Sequence, residues 1–79
     1  MLFQLVEIEL NDRNQTVAET ATQPLFELRE HAMAMAEFAA SRCRGDYGYD
    51  GEHDCWWASG RAGTLRFVVR EFPQFGLAA

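Results

Sequence analysis

The sequence predicts a small α+β domain in which one helix packs on a three- to four-stranded, mostly antiparallel sheet, in the order β(β)αββ. Three observations carry that expectation. Apolar residues alternate with period two at the start of the chain, recur at three-and-four spacing in its middle, and fill two β-rich segments around a glycine-containing loop near its end.

In residues 2–10, Leu2, Val6, Ile8 and Leu10 fall on one side and Phe3, Leu5, Glu7 and Glu9 on the other, the pattern of a strand interrupted only by Gln4. The first set is expected to face the helix and the second to lie on the uncovered side. Asn11-Asp12-Arg13-Asn14 is turn chemistry, because Asn and Asp tolerate left-handed backbone and bond their own main chain. Residues 15–20 then form an optional edge strand that closes a hairpin.

Pro24 suits the first turn of a helix, where its missing N–H costs nothing. From Leu25 to Cys43, the residues Leu25, Leu28, Ala32, Met35, Ala39 and Cys43 mark one helix face, with Glu27, Glu30, Glu37 and Ser41 opposite. The alanines of this run favour helix and permit close approach to a sheet. Arg42 and Arg44 complement the negative end of the helix, and Gly45 fits a C-terminal cap.

The segments 54–59 and 64–72 read as a hairpin joined by Gly60-Arg61-Ala62-Gly63. With Ser59 opposite Thr64, the pairs are Ala58 with Leu65, Trp57 with Arg66, Trp56 with Phe67 and Cys55 with Val68. Leu65, Phe67, Val69, Ala58 and Trp56 then face the helix, while Trp57, Arg66, Val68 and Arg70 face away. A one-residue slip exchanges the two tryptophans. Opposite charges on Glu7 and Glu9 and on Arg66 and Arg70 predict that the last strand lies beside the first. A right-handed crossover with the last strand inserted between two parallel strands achieves this.

The aromatic first strand Leu2–Leu10, the Ala-rich helix Leu25–Cys43 and the final hairpin with Gly60-Arg61-Ala62-Gly63-Thr64-Leu65 resemble the layout of small bacterial domains of unknown function, often from GC-rich genomes. The resemblance is architectural and implies no catalytic residue.

At 79 residues the chain is long enough for one domain, 1–79. A domain of this size buries only about 60–65% of its unfolded surface, so a partner subunit or a metal is a natural supplement. Two cysteines make no disulfide framework. The net charge of −5, with Arg as the sole basic residue type, disfavours nucleic-acid backbones. No run approaches the ~18 apolar residues of a membrane span, and MLFQLVEIEL lacks the basic region of a signal peptide, so a cytoplasmic address is expected.

Chemistry concentrates in GDYGYDGEHDCWWASG, residues 45–60. Asp46, Asp50, Gly51 and Asp54 match parts of a calcium loop, but Gly48 and Trp57 occupy positions that need oxygen ligands. For a transition metal, Asp50, Glu52, His53 and Cys55 are the candidate ligands, alternation placing His53 and Cys55 on one side, although their spacing matches no standard zinc site. Cys43, on the apolar stripe, reads as a core residue. The acidic surroundings oppose an activated thiolate, and no phosphate loop, nucleophile elbow or zinc-protease pair occurs, so neither catalysis nor a cofactor is expected.

The remaining apolar residues point to an interface. Phe3, Leu5, Trp57, Arg66, Val68, Phe72 and Phe75 are assigned to an outer sheet face and to a tail, residues 73–79, that docks on a partner. The expectation is a non-enzymatic interaction domain that forms a homodimer, with a further protein partner possible and metal binding as the alternative.

Overall fold

The computed structural model describes residues 1–22, 24–61 and 63–72. The elements are β1 (Leu2–Leu10), β2 (Thr16–Ala21), α1 (Arg29–Ser41), β3 (Tyr47–Asp50), β4 (Cys55–Ser59) and β5 (Thr64–Phe72). They form an α+β fold, one helix on a five-stranded antiparallel sheet of order β2-β1-β5-β4-β3.

The β1–β2 hairpin is closed by its asparagines. Asn11 Oδ1 accepts hydrogen bonds from the backbone N–H of Arg13 and Gln15, and Asn14 supplies the positive φ of 61°. The β4–β5 hairpin has the register read from the sequence, with Trp56 opposite Phe67, Trp57 opposite Arg66, Ala58 opposite Leu65 and Ser59 opposite Thr64. The last strand lies between β1 and β4, which run parallel to each other.

Three expectations change. First, residues 47–50 form a strand, β3, so the acidic segment is a β-hairpin around the turn 51–54 rather than a long loop. Second, the helix begins at Arg29, not near Pro24. The chain before it remains extended, and Phe26 exchanges two backbone hydrogen bonds of 2.8 Å with Phe3, prolonging the edge of the sheet beside β1. Third, β1 is turned over relative to its expected orientation. Leu5 pairs with Val69 and Glu7 with Phe67, and opposite residues share a face. Phe3, Leu5, Glu7 and Glu9 are therefore on the helix side, and Val6 and Ile8 on the open side. The expected contacts of Glu7 and Glu9 with Arg66 and Arg70 are replaced by a bidentate pair between Arg70 and Glu19 on β2.

That pair has a packing role. Arg70 lies opposite Gln4, and Glu19 opposite Ile8, so the two side chains reach across β1 over Val6 between them. Val6 is only 2% exposed.

α1 packs along β5, touching β1 and β4 on either side and reaching β3. Its buried residues are Ala32, Ala36 and Ala40, each 0% exposed, supported by Ala39 and Cys43. The sheet supplies the bulk beneath them, from Leu5, Trp56, Leu65, Phe67 and Val69. A helix face of small residues can lie close over the large strand side chains. The helical stripe thus runs through Ala36 and Ala40 rather than Leu28 and Met35, both of which are exposed. No helix among the described residues is long and apolar enough to cross a membrane.

Candidate functional site

The tip of the β3–β4 hairpin is the most chemically dense part of the molecule. Asp50, the last residue of β3, uses Oδ1 to accept the backbone N–H of Glu52 at 3.0 Å and of His53 at 3.3 Å. Its other oxygen, Oδ2, is 2.8 Å from His53 Nδ1. This self-contained turn brings potential ligand atoms of Asp50, Glu52 and His53 within 4.8 Å of one another.

Asp54 closes the turn with a φ of 52°, a left-handed conformation that aspartate tolerates better than most residues. Its carboxylate ties the hairpin to the helix. Oδ1 accepts the Tyr49 hydroxyl at 2.5 Å, and Oδ2 pairs with the Arg29 guanidinium at the start of α1. The Tyr49 hydrogen bond, and then the Arg29 charge, hold the Asp54 carboxyl below its ordinary range. The same hydrogen bond pushes Tyr49 up. His53 lowers Asp50 in the same way, chiefly through the hydrogen bond to its ring.

Of the four proposed metal ligands, the structure gathers Asp50, Glu52 and His53 but leaves Cys55 apart. His53 belongs to the turn, so strand alternation does not align it with Cys55. Cys55 is fully buried, and burial first, then the Asp50 carboxylate, push its thiol up. Cys43 is half-buried, with its thiol 3.6 Å from the Ala39 carbonyl, and both cysteines are free.

The expected interface residues separate. Trp57, Arg66, Val68 and Phe72 do share the open face of the sheet, all half-buried. The Trp57 indole lies across Gly48, where a Cβ would meet Nε1 at 3.1 Å, so glycine at this position is what admits the ring. Phe3 and Leu5 do not belong there: both lie on the helix side, and Leu5 is in the chain's own core. Phe75 and the tail 73–79 lie outside the described residues.

A different apolar surface was missed. Leu28, Met35 and Phe38 are 47%, 42% and 53% exposed along one flank of α1. The Arg42 guanidinium sits 5.5 Å from the Phe38 ring centroid, continuing the row. Spacing alone put Leu28 and Met35 in the core. The signal that displaces them is the competing four-residue repeat Ala32, Ala36, Ala40, whose small side chains alone fit beneath a close-lying helix. Comparison with protein-family models, curated proteins and solved structures gives no match for this chain.

Proposed function

We propose that this chain is a small, non-enzymatic interaction domain that self-associates, and that the exposed flank of α1 is its contact surface. The observation that carries this reading is the inverted use of apolar residues on α1. The helix hides Ala32, Ala36 and Ala40 completely and leaves its largest apolar side chains, Met35 and Phe38, about half exposed. In a soluble chain such a row is where a partner recovers the apolar area.

A second copy is the partner the charges fit. Glu27 and Glu30 lie at the start of the helix, and Arg42 and Arg44 follow its end. Antiparallel pairing about a twofold axis sets the acidic end of each helix against the basic end of its mate and opposes the two helix dipoles. A helix of 13 residues is about 20 Å long, so this contact alone is small and the association weak, in the micromolar range.

Light scattering across about 10–300 µM, bracketing that range, tests the reading. Dimer is expected at the upper end, and Met35→Glu with Phe38→Glu is expected to abolish it. A wild-type chain monomeric throughout defeats the proposal. Dissociation by Trp57→Asp, with the helix variant still dimeric, transfers the interface to the open sheet face.

A second reading, cation binding at the hairpin tip, is favoured by the clustering of Asp50, Glu52 and His53. Both Asp50 oxygens are already engaged, so a metal must displace the His53 ring from Oδ2. Elemental analysis of untagged protein, with thermal unfolding in added zinc or calcium, decides it: no bound metal and no rise in midpoint end this reading.

A further inference from the structure

At the opposite end of α1 from the hairpin tip lies a cavity of about 700 Å³, lined by Arg44, Gly45, Ser59, Gly60, Arg61 and Leu65. That volume is within the range of small-molecule sites. Its lining holds two arginines, a serine and the apolar Leu65, and no acidic residue.

The charge is unusual for this molecule, which has seven arginines and a net charge of −5. Arg29 and Arg70 are spent in ion pairs, and Arg42 rests on Phe38. Among the described residues, Arg44 and Arg61 form no ion pair. They are brought to one cavity by separate pieces of backbone that are pinned together. Ser59 N–H donates to the Asp46 carbonyl at 2.8 Å, and the Gly60 N–H to the Gly63 carbonyl at 2.6 Å. Gly45 lies so close to β4 that a Cβ would come within 2.8 Å of the Ser59 Cβ. The two arginine-bearing segments therefore hold a fixed relation without a ligand, which lowers the ordering cost of binding.

We propose that this cavity binds a small, doubly charged oxyanion, the head group of a phosphate monoester or a dicarboxylate, between Arg44 and Arg61, with the Ser59 hydroxyl as a further donor. Guanidinium forks match the paired oxygens of such groups, and charge-assisted hydrogen bonds are the stronger class. The site shares Arg44 with the basic end of the proposed helix pairing but none of its apolar contacts, Leu28, Met35 and Phe38.

The test is amide NMR titration of the full chain with inorganic phosphate and, separately, with succinate, each to about 10 mM at constant ionic strength, a range suited to weak binding. Saturable shifts centred on Gly45, Ser59 and Gly60 are expected with at least one anion, weakening as sodium chloride is raised. Response to phosphate alone assigns the phosphate source, and response to succinate alone the dicarboxylate source. Arg44→Ala with Arg61→Ala is expected to weaken binding at least roughly tenfold. The paired Lys substitutions provide a second variant that keeps the charge, removes the forks and is expected to bind weakly. Absence of saturable shifts with both anions, or unchanged affinity in the folded double-Ala protein, overturns the proposal.

Discussion

At the residue scale, a few paired surface carboxylates give stability a small pH dependence of definite sign. Asp54, Asp50 and Glu19 are all held below the ordinary carboxylate range, by Tyr49 and Arg29, by His53, and by Arg70 respectively. Because the unfolded chain takes up protons more readily at these groups, their contribution is complete above the unfolded value near pH 4 and declines as acid drives through the lower folded values. Tyr49 acts with the opposite sign. Raised by the Asp54 carboxylate, it contributes fully below about pH 10 and its share is lost as alkali passes its folded value. Urea midpoints followed by circular dichroism are expected to fall on both limbs, and Asp54→Asn, which keeps an acceptor for Tyr49 but removes the charge, is expected to flatten both. Identical limbs in the variant remove the junction from the account. The thiols give a separate check. Cys55 is buried and its thiol raised, so a thiol reagent is expected to modify it only as fast as the chain opens, with both cysteines reacting at once in denaturant. None of these pairings was legible in the sequence. Asp54 meets Tyr49 only because residues 47–50 form a strand, and meets Arg29 only because the helix starts there.

At the scale of elements, the helix–sheet layer is governed by size. Ala36 has no exposed surface and faces Leu5 and Phe67. Ala36→Leu is expected to cost about 1–3 kcal/mol by overpacking, whereas Phe67→Ala, which empties the space beneath the helix, costs about 3–5 kcal/mol. Chemical denaturation of both variants measures this, and a neutral Ala36→Leu refutes the tight helix–sheet contact. The final hairpin was readable down to its register, because a short glycine-bearing turn fixes which residues face each other and each tryptophan then has one possible side. β1 was harder. It is apolar on both sides at its start, so Glu7 and Glu9 decided its expected orientation, yet both are half-buried on the helix side. β3 was overlooked because its four residues are few and Gly48 and Asp50 are poor strand formers, which masks the alternation of Tyr47 and Tyr49, and pairing with β4 makes it a strand. The helix start was misplaced since Pro24 is equally at home in the extended segment that pairs beside Phe3.

Across the whole molecule, the sheet is two hairpins, β1–β2 and β3–β4, joined through β5. A proline therefore has opposite consequences at the centre and the rim. Val68→Pro, on the strand flanked by β1 and β4, is expected to abolish the native circular dichroism spectrum, while Ala18→Pro on the edge strand β2 leaves a folded chain with a lowered midpoint. Tolerance of Val68→Pro contradicts the strand order. The order also carries a kinetic meaning. Leu2 finds its mate in Phe72, so the middle of the sheet is its most distant pairing along the sequence, and loop closure must precede any reward. A nascent chain that has made both hairpins still has two raw pleated rims, each a template for a stranger, until the nine residues of β5 slot home like a keystone. Until then, the exposed rims of β1 and β4 are where a wrong partner would add.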